Sequence, residues 1–149
     1  MTIKIAYTSA TGNTKTAVEL LSDDLEALGQ DVEAIDAEDG VEVDEFFADA
    51  DAYVIASWSD GDNGEVPGGI IDFYDDLDGY DLSDAKVAVI GTGDSTYPQF
   101  CAAVDLFETL ARTDGAEIIG PSVKIELNPD DEAEAALKQL AETLADAAK

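Results

Sequence analysis

The chain has 149 residues, with 35 Asp and Glu against 7 Lys and Arg, a formal net charge of -28 and no His. That is the size of one ordinary domain, expected to span residues 1–149, and about a quarter of it is Leu, Ile, Val or Phe, above the roughly one fifth that marks disorder. Phosphate neutralisation and anionic membranes need clustered cations, so nucleic-acid and membrane partners are excluded; without His, Ser-His-Asp and Cys-His catalysis is excluded and zinc has few ligands.

Ile3 to Thr8 reads as a first strand, apolar on both faces as in a buried parallel sheet. Val18, Leu21, Leu25 and Leu28 recur on one helical face, and Gly29 reads as the stop of that helix. Asp31 to Asp36 is a weaker second strand, followed by a short helix near Asp44 to Phe47. Ala52 to Ser57 and Lys86 to Gly91 are the third and fourth strands, with helices over Ile70 to Leu77 and Val104 to Arg112. Glu117 to Gly120 reads as the fifth strand. The last helix has Asn128 as N-cap, Pro129 at its first position and Asp130, Asp131 and Glu132 at the positive end of its dipole. Ala133, Leu137, Leu140 and Leu144 form its buried stripe. This alternation predicts an α/β sandwich of five parallel strands with helices on both faces. Ligands of such folds lie beyond the carboxyl ends of the strands, which points to the loops after strands one, three and four.

The acids are spread along the chain rather than gathered in a tail. Of the readings disorder, DNA mimicry and adaptation to a salt-loaded cytoplasm, the last accounts best for the charge, since a Debye length of ~3 Å at 1 M salt screens self-repulsion. Cys101 is the only Cys and allows no intramolecular disulfide. Lys4 interrupts any signal-peptide pattern, and no apolar run approaches the ~20 residues that span a bilayer. A soluble, cytoplasmic monomer is expected.

In the first loop, Thr8-Ser9-Ala10-Thr11-Gly12-Asn13-Thr14, hydroxyls surround a helix start whose free N–H groups favour a phosphate. It matches neither a Walker loop nor a GxGxxG fingerprint, and a plain turn with Asn13 as N-cap remains open. The second loop, from Ser57 to Pro67, carries Trp58, which stacks on a flat ligand or merely caps the edge of the core. The third, Gly91-Thr92-Gly93-Asp94-Ser95-Thr96-Tyr97-Pro98-Gln99-Phe100-Cys101, pairs two glycines with Tyr97, which offers a second aromatic face or lies on the surface. Cys101 is expected to pack as a small apolar residue. A phosphate cradle with two aromatics suits a flat ring with a phosphate tail. Flavin mononucleotide (FMN) fits; a nicotinamide dinucleotide fits less well.

These residues resemble the flavodoxin family, from the first strand to the last helix. Residues 8–14 look like its phosphate loop, and 91–101 like its third flavin loop and that of diflavin reductases. No extra segment of about twenty residues interrupts the fifth strand around Ile118 to Ile125, as in short-chain members. The resemblance implies strand order 2-1-3-4-5 and a noncovalent FMN. It implies that Ser9, Thr11, Asn13 and Thr14, with the N–H groups of Ala10 and Gly12, hold the phosphate. Tyr97 and Trp58 would flank the ring, the N–H groups of Asp94 and Cys101 would reach the pyrimidine edge, and the Gln99 carbonyl would accept from N3–H. Thr92, Gly93 and Phe100 complete the third loop. The second loop, Ser57-Trp58-Ser59-Asp60-Gly61-Asp62, departs from the family: an ungapped match puts Ser59 at the usual aromatic, whereas the diflavin pattern puts Trp58 there and Ser59 at a glycine. The peptide that flips on reduction is then Asp60–Gly61 or Gly61–Asp62.

The implied function is a low-potential one-electron carrier between redox partner proteins such as flavin reductases and iron–sulfur oxidoreductases. Asp60, Asp62 and Asp94 near the ring, and a phosphate loop without Arg or Lys, disfavour an anionic reduced flavin and lower its potential. Two other functions fit the residues less well. An FMN-dependent NAD(P)H:quinone oxidoreductase needs room for a second ring that Trp58 and Tyr97 would fill. A phosphorelay receiver needs acids where this chain has Ser9-Ala10 and Ser57-Trp58. The start and the final helix look complete, which argues against a piece of a larger reductase.

Overall fold

In the computed structural model, which describes residues 2–10, 12–59, 65–94, 100–127 and 129–147, the apolar runs assemble into one parallel sheet. Its strands are β1 (Thr2–Tyr7), β2 (Asp31–Asp36), β3 (Ala52–Trp58), β4 (Lys86–Gly93), β5 (Glu117–Ile118) and β6 (Val123–Glu126). The order is β2-β1-β3-β4-β5, with β6 also on β4. The helices are α1 (Asn13–Ala27), α2 (Val43–Phe46), α3 (Ile71–Leu77), α4 (Ala102–Thr113) and α5 (Asp131–Ala147). Order and layers are those expected from the sequence.

The central strands explain why so acidic a chain folds. Every residue from Ala52 to Ser57 of β3 is buried, as are Val87 to Thr92 of β4, so these strands lose no surface to polar residues. One face of the sheet is aliphatic: Val18, Leu21 and Leu25 of α1 meet Leu137, Leu140 and Leu144 of α5 over Ile3, Val54 and Ile90. The other face is aromatic. Phe46 lies edge-on to Phe73 at 5.5 Å between ring centroids, and Phe107 edge-on to Tyr74 at 5.1 Å. Among the described residues no Asp or Glu is buried.

Three local expectations are corrected. Leu28, assigned to the buried face of α1, is 44% exposed, because α1 ends at Ala27 and the chain turns through Gly29 at φ 84. The fifth strand is two pieces rather than Glu117 to Gly120. Ile118 pairs with Val87 and Val123 with Ile90, so five steps of one chain answer three of the other. The surplus falls at Gly120-Pro121, where proline has no N–H for the ladder. The cap of α5 is Asp130, whose carboxylate accepts the Ala133 N–H at 2.9 Å, so Pro129 precedes the helix; Asn128 lies outside the described residues.

Candidate functional site

The carboxyl ends of β1, β3 and β4 bring the three loops together. Trp58 and Thr92 are paired across β3 and β4, and the Thr8 N–H donates to the Ala56 carbonyl at 3.1 Å. Two side-chain bonds then tie loop to loop. The Thr14 and Thr92 hydroxyls, both buried, lie 2.8 Å apart and join the first loop to the start of the third. Ser59 Oγ accepts the Ala103 N–H at 3.0 Å, so the second loop caps the helix that follows the third.

The first loop turns at Gly12, whose φ of 94 a side chain rarely adopts. Gly12, not Asn13, is the cap residue of α1, and it offers no side chain to the orphan N–H groups of the first turn. Ser9 Oγ accepts two of them, from Gly12 at 3.1 Å and Lys15 at 3.2 Å. The resemblance gave the Gly12 N–H to the phosphate; here it rests on Ser9, whose hydroxyl keeps a hydrogen to donate. Lys15 lines a cavity with Glu19, Asp23 and Glu26 along α1. The phosphate-binding potential of the loop therefore rests on N–H groups and hydroxyls.

The third loop is built around a close approach. A Cβ on Gly93 would sit 3.0 Å from the Cys101 nitrogen and 2.9 Å from its sulfur, so only glycine lets the two ends of the loop meet. Cys101 itself adopts φ 51 and is the cap residue of α4. It is buried, and its thiol points at the Ile125 carbonyl, 3.7 Å away. Burial, the largest cause, pushes the thiol up to about 11. Cys101 is thus a packing residue, as expected. Leu127 follows β6 at φ 55 and donates its N–H to the Gly93 carbonyl at 2.8 Å, bracing the same loop end.

Of the other expected site residues, Ser57 is buried and donates to the Trp58 carbonyl at 2.7 Å, so it shapes the second loop rather than facing a ligand. Trp58 is half-buried at the end of β3, and Ala10, Asn13, Asp94 and Phe100 lie along the same edge. Thr11, Asp60, Gly61, Asp62, Tyr97 and Gln99 lie outside the described residues. Sequence reasoning missed the capping role of Ser59 and the brace at Leu127, since each depends on a partner at least thirty-four positions away. The donor set and glycine cradle suit a phosphate-bearing flat ligand such as FMN.

The flavodoxin family model matches residues 5–140. The chain is 38% identical over 128 residues to the flavodoxin of Maridesulfovibrio salexigens, covering 85% of this chain and 86% of that one. Its structure superposes on the flavodoxin of Streptococcus pneumonia TIGR4 with a TM-score of 0.92 at 36% identity, over 98% of this chain and 99% of the other. A short-chain flavodoxin associated with a non-canonical PDU bacterial microcompartment gives 0.94 at 30% identity, over 100% and 99%.

The chain belongs to the flavodoxin family. It is accordingly an FMN-binding electron carrier and not an enzyme, and flavodoxin-like domains act with redox partners. Among the described residues no helix is long and apolar enough to cross a membrane.

Proposed function

We propose that this chain is a short-chain, salt-adapted flavodoxin, acting as one domain over residues 1–149, that carries single electrons at low potential. Its FMN is held noncovalently by the three carboxyl-edge loops. The observation that carries the reading is the buried Thr14–Thr92 bond of 2.8 Å, which holds a phosphate-type loop against the loop that follows β4. FMN supplies the one-electron redox chemistry when bound. Ser9 donates its hydroxyl hydrogen to the phosphate, which also takes over the Gly12 N–H, with Ala10, Thr11 and Asn13 as further donors. Thr14 and Thr92 hold the cradle in shape. Trp58 and Tyr97 exclude water from the two faces of the ring, while the Asp94 and Cys101 N–H groups and the Gln99 carbonyl address its pyrimidine edge. Either Asp60–Gly61 or Gly61–Asp62 supplies the peptide that responds to reduction.

The charge supports salt adaptation. The net charge is -28, and the described ion pairs, Arg112–Glu108 and Lys124–Asp105, are too exposed to offset it. We place the carrier in the cytoplasm, as a monomer, between flavin reductases and iron–sulfur oxidoreductases.

The test is an FMN titration of the apoprotein followed by stepwise anaerobic reduction in molar KCl. Bound, fluorescence-quenched flavin and two resolved one-electron steps are expected. Tyr97→Ala should weaken FMN binding about tenfold and raise the potential of the second step. Failure to bind FMN sinks the reading, and direct oxidation of a nicotinamide by the purified protein favours the reductase instead.

A further inference from the structure

Among the described residues three non-glycines adopt left-handed backbone: Asp49 at φ 63, Cys101 at φ 51 and Leu127 at φ 55. Aspartate tolerates that conformation, whereas cysteine and leucine keep it only where their surroundings enforce it. Those two meet at one glycine. A Cβ on Gly93 would lie 3.0 Å from the Cys101 nitrogen. The Leu127 N–H donates to the Gly93 carbonyl at 2.8 Å. The pairing of β4 with β6 ends at Gly93 and Glu126, so this bond is made by a residue whose backbone has already left the strand. Leu127 is 48% exposed, and packing of its side chain does not account for the strained backbone. What that backbone secures is the N–H. The accepting carbonyl belongs to the Gly93–Asp94 peptide, which is trans, so its N–H points opposite to its C=O. The Leu127 bond turns the carbonyl toward β6, on one side of β4. The Asp94 N–H is thereby turned to the other side, where Trp58 of β3 pairs with Thr92.

We propose that Leu127 is a positioning residue for the flavin: its backbone N–H holds the Gly93 carbonyl and so aims the Asp94 N–H at the pyrimidine edge. The inference rests on the FMN reading and adds to it a residue that does not touch the cofactor. A hydrogen bond accepted by the carbonyl also polarises the amide, which strengthens what its N–H donates. Reduction brings negative charge to the pyrimidine ring, and an N–H donor binds a charged acceptor more strongly than a neutral one. The hold of Leu127 therefore favours reduced over oxidised flavin, and its loss reads out as a lower potential as well as weaker binding. A brace that merely kept the loop folded would weaken both forms equally.

For the test, Leu127 is replaced by its α-hydroxy acid, which turns the peptide bond into an ester, deletes the N–H and keeps the side chain. The control is the same replacement at Ile119, whose N–H donates to the Val87 carbonyl at 2.8 Å near the other end of β4. In the Leu127 ester the potential of the second one-electron step should fall by about 40 mV, the equivalent of a fivefold loss at ~59 mV per tenfold. The Ile119 ester should keep the parent potential. So should Leu127→Gly, which retains the N–H and suits positive φ. An unchanged potential in the Leu127 ester, or an equal fall in either control, overturns the proposal. In the FMN-loaded parent protein the Leu127 nitrogen should show an NMR coupling across the hydrogen bond to the Gly93 carbonyl carbon. Its absence overturns the proposal even where the ester does not fold, as does an Asp94 amide resonance that FMN leaves unmoved. A parent protein that binds no FMN overturns the carrier reading and this inference with it, whereas the other failures leave the carrier reading intact.

Discussion

The two helices that start at the carboxyl edge of the sheet solve one problem in different ways. Both α1 and α4 begin at a residue with left-handed backbone and no capping side chain of its own, Gly12 at φ 94 and Cys101 at φ 51. Both borrow a serine. The first start takes Ser9, three residues back in the same loop. The second takes Ser59, forty-four positions from the N–H it caps. A local cap sets the shape of a loop before the fold is complete, whereas a distant cap makes one loop conditional on another. The first start also uses glycine, for which positive φ is cheap, while the second places a cysteine there, at a cost of about 1–2 kcal/mol. The buried thiol repays it by filling the space between β4 and β6.

Thr14→Val or Thr92→Val alone leaves one buried hydroxyl without its partner and should destabilise the protein by about 1–3 kcal/mol in urea unfolding, whereas the double variant should recover most of that loss. Additive losses would mean that the two threonines do not act as a pair.

Gly12→Ala should cost about 1–2 kcal/mol and weaken FMN binding. The added Cβ meets nothing within 4 Å, so any effect is backbone conformation and not a clash. At the other start the sign reverses: Cys101→Gly should be more stable than Cys101→Ala by about 1 kcal/mol, since both lose the thiol and only one keeps the strained backbone.

Ser9→Ala and Ser59→Ala should each cost about 1 kcal/mol as lost caps. They should differ in FMN affinity, which falls more for Ser9→Ala because that hydroxyl also faces the phosphate in the proposed site. Equal effects on flavin would erase the distinction between the two starts.

The last effect is confined to alkaline pH and belongs to Cys101. Its thiol is raised from 9.0 to about 11 by burial, so the folded state holds the proton more tightly than the unfolded chain. The stability linked to that proton is complete below about pH 9 and is lost as the pH rises through about 11. A Cys101→Ala variant should lack that alkaline slope in urea midpoints. At pH 8 the native thiol should resist a thiol reagent that labels it readily in urea.

Much of the molecule was legible in the residues themselves. The runs Ala52 to Ser57 and Lys86 to Gly91 could only be buried strands, since nothing polar interrupts them before their ends. The 8–14 and 91–101 loops pointed to a phosphate and a flat ring only when read together, since each alone also reads as a polar or Gly-rich turn. Periodicity and local turn chemistry act over a few positions, so a single pass along the chain reads them. What the tertiary structure alone decided is how the loops hold one another. Thr14 and Thr92 are seventy-eight positions apart, Ser59 and Ala103 forty-four, and Gly69 meets Thr8 across the end of β1. Whether a serine faces a ligand, caps a distant helix or, like Ser57, turns into its own loop depends on which carbonyl or N–H the folded sheet sets beside it. The residues supplied the donors, and the fold chose their partners, because a hydrogen bond needs a geometry within tenths of an ångström that no sequence spacing specifies.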